Sequence, residues 1–463
     1  MDNPADDATI CAISTPLGNA GIGIIRLSGK EALRIGDRVF RSKFLTSLGH
    51  SEPYRIHYGK LIDPSNGELV DEVLVAVMRA PKSYTAEDVL EFSCHGNLRN
   101  LRRALSILIG EGAREAQPGE FTRRAFLNGR IDLIQAEAVM DAITLESEEG
   151  RRQALLNLGG RFSKWVAEFR EEILALLARL EANIDFEEEG IEILPIPACG
   201  MRIADLIQKA KGLLSKARDG RIARDGFLVA ISGLPNVGKS SLLNRILDQE
   251  RAIVTPVAGT TRDTLEEAIL LQGFKIRLVD TAGIRPTEDL AEKEGIRRSQ
   301  REQSKADLVL WLVDATQGWT AEDAKEIEKL DGKNYLIVFN KSDLVAAGPE
   351  PAGGPAPDGS IRISVLTGMG VSTLEERMVQ DARSLVAGES DDGAILIRGR
   401  HEESLGRACQ SLQRAADAVK SGLSPELIAI DLKGAADQLG ELLGISAPEE
   451  LLDRIFRDFC IGK

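Results

Sequence analysis

A phosphate-binding loop constrains the fold of this chain more than any other segment. Residues Gly233–Ser240 read Gly-Leu-Pro-Asn-Val-Gly-Lys-Ser, a complete G-x-x-x-x-G-K-S motif. The apolar run Phe227–Ser232 before the loop predicts a buried strand, and Ser241–Leu247 after it has the spacing of a helix. Because the motif stands between a strand and a helix, we expect an α/β domain that holds nucleoside phosphates at its strand ends.

The positions within this loop have separate expected roles. Gly233 and Gly238 permit a tight backbone path, so successive N–H groups can face phosphate oxygens. Lys239 would reach the β- and γ-phosphates, and the Ser240 hydroxyl would ligate Mg²⁺. Asn236 is a candidate ligand of a second cation through its amide oxygen, with a plain turn residue as the alternative.

A second motif, Asp280–Gly283, ends the apolar run Lys275–Val279. The Asp280 carboxylate would ligate the metal or hold one of its ligands, and the Gly283 N–H would face the γ-phosphate. The next residue, Ile284, has no polar group to orient water, where Ras-type enzymes place a glutamine. Either another residue takes this role or hydrolysis is intrinsically slow.

A third motif predicts which base is bound. The strand-like run Leu336–Phe339 leads into Asn340-Lys-Ser-Asp343. The Asp343 carboxylate can accept from the two N–H groups on the Watson–Crick edge of guanine, whereas adenine would leave it unpaired. Ser364 and Val365 follow a further strand-like run, so their backbone could close over the base. The site is therefore expected to select guanine.

Hydrophobic patterning organises the rest of the chain. Residues 120–224 and 382–463 have helical spacing, whereas residues 225–381 alternate strand and helix. Residues 1–119 mix strand-like runs with one or two helices, notably 98–108; the runs are Ile10–Ser14, Ile22–Arg26, Val73–Met78 and Val89–Phe92. We expect a multidomain α/β protein, in which a P-loop Ras-like G domain is inserted in an all-α helical domain and preceded by an α+β domain. One apolar stripe predicts a bundle core: Phe162, Trp165, Val166, Phe169, Ile173, Leu176, Leu177 and Leu180.

Length and charge limit the partners. The 463 residues suffice for about two to four domains, and the net charge of −14 argues against a surface that coats nucleic acid. Contact with RNA would need a local basic patch, although a solvated face is the more ordinary interpretation of each candidate. The candidates are Arg99/Arg102/Arg103, Arg221/Arg224 and Arg297/Arg298/Arg301.

The compartment is predicted from what the sequence lacks. The first seven residues are acidic and lack an apolar signal core, and no apolar run is long enough to span a bilayer. The five cysteines and four histidines have neither metal-ligand nor disulfide spacing. We therefore expect a cytoplasmic protein without a membrane partner.

Sequence blocks near both ends of the chain point to one protein family more specifically than the nucleotide motifs in the middle do. They are Thr9–Pro16, Gly21–Gly29, Ser83–Glu91, Cys94–Gly96, Pro118–Thr122, Phe126–Leu133 and Phe456–Lys463. With the nucleotide motifs, they resemble the MnmE (TrmE) family of tRNA-modifying GTPases over essentially the whole chain. The closing Cys-Ile-Gly-Lys with the N-terminal blocks is highly specific, because other GTPases share only the middle motifs.

The resemblance implies a one-carbon site. Arg26, Glu91, Arg130 and Lys463 would line a pocket for 5-formyl- or 5,10-methylene-tetrahydrofolate. Basic groups suit the glutamate or formyl oxygens, and the Glu91 carboxylate suits the N–H edge of the pterin. Cys460 falls on the cysteine placed close to the folate, in a catalytic role; a buried thiol is its alternative.

The resemblance also implies potassium-stimulated hydrolysis by dimerised G domains. Thr261 would join Ser240 on Mg²⁺, and Glu292 falls on the water-orienting glutamate, which answers the absence of a polar group at Ile284. The residues implied for K⁺ are Asn236, Thr255, Val257 and Thr260. The residues assigned to GTP by motifs and resemblance together are Asn236, Val237, Gly238, Lys239, Ser240, Ser241, Thr255, Thr260, Thr261, Asp280, Thr281, Ala282, Gly283, Asn340, Lys341, Asp343, Ser364 and Val365.

The implied domain order is a folate-binding and dimerisation domain at 1–119, helical parts at 120–224 and 382–463, and a G domain at 225–381. The implied partners are a second copy of the chain, the flavoprotein MnmG in a heterotetramer, and tRNA. The implied activity adds a carboxymethylaminomethyl or aminomethyl group to the C5 carbon of the wobble uridine. The alternative is a GTPase switch in ribosome assembly without modification chemistry.

Three positions depart from the family pattern. Arg130 stands where a lysine is common, which keeps the charge but changes the donor geometry. Asn97 replaces a common glycine, so the loop there is expected to differ. Val365 replaces the usual alanine, and its backbone N–H remains available to the base.

Overall fold

The computed structural model describes residues 8–185, 194–249, 266–280, 305–330, 332–345, 356–386 and 398–463. The chain falls into two compact units. The first is drawn from Met1–Met140, Leu158–Leu194 and Leu423–Lys463, and the second from Asp141–Asn157 and Pro195–Gly422. Each unit is built around its own β-sheet.

The first unit contains a seven-stranded sheet. Its strands are β1 (Ile10–Ile13), β2 (Ala20–Ser28), β3 (Phe40–Arg41), β4 (Arg55–Ile62), β5 (Leu69–Met78), β6 (Val89–Gly96) and β7 (Arg114–Glu115). They lie in the order β3-β4-β5-β6-β2-β1-β7. Strands β1 and β7 pair in parallel, and the other neighbours pair antiparallel. Burial alternates along β5, as expected when one face of a sheet is covered.

Two helices cover that face, namely α1 (Ala32–Val39) and α2 (Leu98–Gly110). They pack on the strands in one apolar core, in which Ile35 and Leu101 are buried. Side chains on the opposite face alternate with the buried ones. Several of these are large, apolar and exposed: Ile22, Ile56, Tyr58 and Leu74. The face opposite the helices therefore exposes a patch of apolar side chains.

The remaining helices are α3 (Glu120–Leu127), α4 (Leu133–Thr144), α5 (Glu148–Leu158), α6 (Arg161–Asp185), α7 (Ile196–Asp225), α8 (Lys239–Gln249), α9 (Ala321–Glu328), α10 (Val371–Val386), α11 (Gly399–Lys420), α12 (Pro425–Leu443) and α13 (Glu449–Arg457). Helix α6 packs along α12 in the first unit, and α7 packs along α11 in the second. Leu133 of α4 and Phe456 of α13 share a small core in the first unit.

The second unit contains a six-stranded sheet. Its strands are β8 (Phe227–Gly233), β9 (Glu266–Leu271), β10 (Phe274–Asp280), β11 (Leu308–Asp314), β12 (Tyr335–Asn340) and β13 (Ile361–Arg362), in the order β13-β12-β11-β8-β10-β9. All neighbours pair in parallel except β9 and β10. Every residue of β11 is buried, which is typical of a central strand covered on both faces. The parallel strands bring their carboxyl ends to one edge of the sheet.

These elements confirm the fold class predicted from the sequence. The patterning located β6 and α6 closely but did not single out β4 or β11. The apolar stripe of α6 is buried at seven of its eight positions, and Trp165 is the exception. The Trp165 ring is half-buried and lies against Phe169, with ring centroids 4.9 Å apart, so the core prediction was wrong at that position.

A buried carboxylate ties the start of the second sheet to helix α7. One oxygen of Asp307 accepts from the Leu228 N–H at 3.0 Å, and the other accepts from Arg221 Nη2 at 3.0 Å. The Asp307 side chain is 2% exposed. A carboxylate this far from water is tolerated because both oxygens have partners.

We predict that Asp307→Ala lowers the free energy of unfolding by about 2 kcal/mol, because the buried Leu228 N–H loses its acceptor. Asp307→Asn should cost less, since an amide oxygen can still accept from that N–H. Urea denaturation measures both, with Glu326→Ala as a control that removes an exposed ion pair. Equal effects of Asp307→Ala and Glu326→Ala would contradict the prediction.

Candidate functional site

The phosphate loop leaves β8 and enters α8 in the geometry that the motif predicts. Gly233 has φ +142° and Gly238 has φ +99°, both in the region that favours glycine. A side chain at Gly233 would overlap the Leu312 carbonyl oxygen, and one at Gly238 would overlap the Asn340 amide. Asn236 also has a left-handed backbone, with φ +65°. The two glycines are therefore required by close packing around the loop.

Lys239 lies inside this loop. Its Nζ donates to the carbonyl oxygens of Gly233 at 2.9 Å and Leu234 at 2.8 Å, and the residue is buried. Ser240 follows as the second residue of α8. The positive end of the helix and the ammonium group thus meet at one point, which is the electrostatic arrangement that binds phosphate.

Asn340 connects the phosphate loop to the loop that follows β13. Its Nδ2 donates to the Val237 carbonyl at 2.9 Å, and its Oδ1 accepts from the Val365 N–H at 3.1 Å. Asn340 and Ser364 are both buried. Asp343 lies in a short 3₁₀ helix, Ser342–Leu344. The structure therefore brings Asn340 together with the loop at Ser364 and Val365, and Asp343 follows in an exposed turn.

Lys341 has a partner that the sequence did not reveal. Its Nζ lies 2.6 Å from Asp314 Oδ2 at the end of β11, and Thr316 donates to Asp314 Oδ1 through both its N–H and its hydroxyl. Burial raises the pKa of Asp314, but the bonds from Lys341 and Thr316 outweigh it and leave that pKa below 3.8. A cavity of about 110 Å³ lies beside this pair and is lined by the outer turn of the phosphate loop.

Several predicted nucleotide-site residues lie outside the described ranges. They are Thr255, Val257, Thr260, Thr261, Thr281, Ala282, Gly283 and Glu292. The backbone of Asp280 ends β10, where it pairs with Ile231 of β8. Asp280 therefore ends the strand beside the one that leads into the phosphate loop, and its metal role stays a prediction.

A second cluster of predicted residues forms in the first unit, around Arg26. The Arg26 side chain is 12% exposed, and its Nε and Nη2 lie 2.8 and 2.7 Å from Glu91 Oε1. Its Nη1 donates to the Gly462 carbonyl at 3.0 Å. Residues from β2, β6 and the C-terminal segment thus meet at one guanidinium.

Tyr84 joins this cluster, although the sequence analysis did not assign it a role. Its ring centroid lies 5.3 Å from Arg26 Cζ and 5.0 Å from Arg130 Cζ. Its carbonyl accepts from Arg130 Nη1 at 2.8 Å, and its hydroxyl lies 2.9 Å from Thr122 Oγ1. Tyr84 stands in the Ser83–Glu91 block that supported the resemblance, which is the signal that could have found it.

The C-terminal segment packs against this cluster. Phe456 and Phe459 are buried, and Gly462, with φ +93°, lies so close to Ile13 and Ser14 that a side chain would overlap them. Lys463 is half-buried; burial lowers its pKa, and the nearby Arg26 charge lowers it further. The alternative of a buried Cys460 thiol was wrong, because Cys460 is exposed.

The basic patches considered for RNA are partly neutralised. Arg221 pairs with Asp307, and Arg224 lies 3.4 Å from Asp141 Oδ1. Arg103 pairs with Glu68. These pairings favour the ordinary interpretation of both patches. Residues 297, 298 and 301 lie outside the described ranges.

The parallel sheet, the phosphate loop and the Asn340–Asp343 motif define a P-loop GTPase. Two family models match the chain. One is described as the MnmE helical domain and matches residues 133–460, and the other is described as the GTP-binding protein TrmE N-terminus and matches residues 9–130.

Two relatives cover nearly the full length. A Moorella thermoacetica protein named tRNA modification GTPase MnmE is 46% identical over 467 residues, covering 99% of this chain and all of that protein. A protein of the same name from Desulforamulus reducens is 42% identical over 462 residues, with 99% of this chain and 100% of that protein covered. The chain therefore belongs to the MnmE family.

Solved structures match a smaller part. An Era variant from Aquifex aeolicus bound to GDP·AlF₄⁻ is 28% identical, covers 33% of this chain and 56% of that chain, and has a TM-score of 0.26. A TM-score this low adds nothing to the family assignment. Within the described part of the chain, no helix is long and apolar enough to cross a membrane.

We predict that the Asp314 carboxylate stabilises the second unit by about 1–2 kcal/mol through its charged bond to Lys341. Its folded pKa is depressed, so this stability is present above the ordinary value of 3.8 and is lost as pH falls further. Unfolding midpoints of wild type and Asp314→Asn should therefore differ at pH 6 and converge toward pH 3. A difference that does not change with pH would contradict this, and Asp417→Asn, which alters an exposed carboxylate, is the control.

Proposed function

We propose that this chain hydrolyses GTP as part of the machinery that modifies tRNA, and that it binds a folate beside its C-terminal segment. The observation that carries the proposal is the contact of Arg26 with both Glu91 and the Gly462 carbonyl. A GTPase that acts only as a switch in ribosome assembly has no need of a Cys-Ile-Gly-Lys segment held against an N-terminal sheet. The contact therefore favours modification over the switch.

The guanine base binds at the end of β12. Asp343 accepts the two N–H groups of the base, while Asn340 holds the phosphate loop and the loop at Ser364 and Val365 in register. Lys341 is fixed by Asp314 beside this site. Selection of guanine over adenine follows because adenine leaves the carboxylate without its donors.

Two cations assist hydrolysis. Ser240 at the start of α8 and Thr261 hold Mg²⁺, which neutralises charge on the phosphates, with Asp280 at the adjacent strand end. K⁺ is held by Asn236, Thr255, Val257 and Thr260. The left-handed backbone of Asn236 is consistent with this role, because it turns the loop sharply at that residue. Glu292 orients the attacking water, the task for which Ile284 has no polar group.

The folate site is formed by Arg26, Glu91, Arg130 and Lys463. Three cations and one carboxylate leave an excess of positive charge, and the lowered pKa of Lys463 reflects burial and the nearby Arg26 charge. An anionic ligand relieves this excess, so the residues present fit a 5-formyl- or 5,10-methylene-tetrahydrofolate. The bound folate supplies a one-carbon unit.

Cys460 is the catalytic group of this site. Its side chain is exposed, whereas Phe456 and Phe459 nearby are buried, with their tilted rings 5.4 Å apart between centroids. The backbone around the thiol is therefore anchored while the sulfur remains accessible. The reaction places a carboxymethylaminomethyl or aminomethyl group on the C5 carbon of the wobble uridine.

The chain acts as a homodimer, with MnmG as its heterotetramer partner and tRNA as substrate, in the cytoplasm. A second copy covers the apolar outer face of the first sheet, where Ile22, Ile56, Tyr58 and Leu74 are exposed. The domains run from 1 to 119, 120 to 224, 225 to 381 and 382 to 463. The first holds the folate and dimerises, the third binds GTP, and the other two form the helical domain.

We predict that Asp343→Asn weakens GTP binding by about 2–4 kcal/mol, because the amide presents a donor where guanine needs an acceptor. Xanthosine nucleotides should partly restore binding to the variant. Calorimetric titration of wild type and variant with GTP and xanthosine triphosphate measures both effects. A GTP affinity of the variant equal to that of wild type would contradict the assignment of Asp343 to guanine.

We predict that Cys460→Ser abolishes wobble-uridine modification in cells while its unfolding midpoint stays near that of wild type, because the thiol is exposed. Mass analysis of tRNA nucleosides from a deletion strain carrying each form is the test. Full modification by the serine variant would show that the thiol is not needed for the chemistry. Normal modification in the deletion strain itself would favour the switch.

A further inference from the structure

Tyr84 is the residue at which the two guanidinium groups of the proposed folate site meet. Arg26 belongs to β2 and Arg130 to the loop after α3, so the backbone of a single element does not fix their separation. Both lie within 5.3 Å of the Tyr84 ring centroid. The aromatic ring is thus the shared contact that relates one cation to the other.

The Tyr84 ring is held by contacts with α3. Its hydroxyl is hydrogen-bonded to Thr122 Oγ1 at 2.9 Å, and the ring packs against a small core that includes Phe121. Phe121, next to Thr122, adds a second ring 5.5 Å from Arg26 Cζ. The ring orientation is therefore determined by α3 before any ligand binds.

We propose that Tyr84 is a positioning residue for folate: its ring sets the spacing of Arg26 and Arg130 so that both can meet the oxygens of an anionic ligand. This inference rests on the folate binding proposed above and adds a residue to it. The Arg26, Glu91, Arg130 and Lys463 side chains carry three positive charges and one negative charge. The net positive charge of these side chains suits an anionic ligand.

The physical basis is preorganisation. An arginine side chain loses rotamer freedom when it binds a ligand, and a cation–π contact that already orders it reduces that loss. The Tyr84 ring should order the Arg130 side chain more than that of Arg26. The hydrogen bond from Arg130 to the Tyr84 carbonyl is exposed and so less able to hold the side chain alone. Arg26 is already held by Glu91.

The test is calorimetric titration of the full chain with 5-formyltetrahydrofolate. Tyr84→Phe keeps the ring and loses only the bond to Thr122, so its affinity should stay within about threefold of wild type. Tyr84→Leu removes the ring from both arginines and should weaken binding about tenfold, the size expected for two cation–π contacts at a partly exposed site. Tyr335→Leu, which removes an exposed tyrosine from the other unit, is the matched control and should bind like wild type.

A double-mutant cycle separates positioning from general disruption. In an Arg130→Met background, Tyr84→Leu should weaken binding clearly less than it does in wild type, because one of the two groups that it positions is gone. Thermal unfolding reports whether each variant folds, and Tyr84→Met replaces Tyr84→Leu if the latter does not.

Three results would overturn the inference. They are wild-type affinity in Tyr84→Leu, equal losses in Tyr84→Phe and Tyr84→Leu, and an effect of Tyr84→Leu that is the same in both backgrounds. Each of these leaves wild-type folate binding intact, so the failure belongs to Tyr84 alone. If the wild-type chain does not bind 5-formyltetrahydrofolate, the folate proposal itself is contradicted, and the role of Tyr84 with it.

Discussion

The ion pair between Arg26 and Glu91 is the constraint on which the site of the first unit depends. A guanidinium that is 12% exposed needs a compensating charge, and the register of β2 with β6 places Glu91 directly opposite. Two of the arginine N–H groups are thereby used, and a third reaches the Gly462 carbonyl. Strand register therefore fixes the ion pair, and the ion pair fixes where the C-terminal segment can lie.

In the second unit, a neutral amide rather than an ion pair holds the loops of the site in place. Its phosphate loop and its base loop both consist of irregular backbone, which needs hydrogen bonds from outside regular structure. The Asn340 amide supplies one donor to the first loop and one acceptor to the second. Gly238 must then lack a side chain, because the same amide occupies that space. The motif residues thus hold one another in place.

Much of this arrangement could be predicted from the sequence, for reasons that differ between elements. The phosphate loop and α6 were found because their chemistry is local: glycine spacing in one and helical periodicity in the other. Asp314 was missed because its role depends on a contact with Lys341 at the end of the neighbouring strand. Tyr84 was missed because its role depends on contacts with residues of other elements. Contacts of this kind leave no periodic signal in the sequence. Trp165 fits the helical stripe, yet it lies partly exposed, because periodicity gives the direction of a side chain and not what covers it.

The C-terminal motif shows how structural and chemical requirements can be told apart within four residues. Gly462 is required by packing, since any side chain would overlap Ile13 and Ser14. The Cys460 carbonyl accepts from the N–H groups of Gly119 and Lys463, contacts that any residue could make. Its exposed thiol therefore has no packing reason to be a cysteine. The proposed chemistry at this thiol would explain the cysteine, which is why the serine variant tests the chemistry and not the fold.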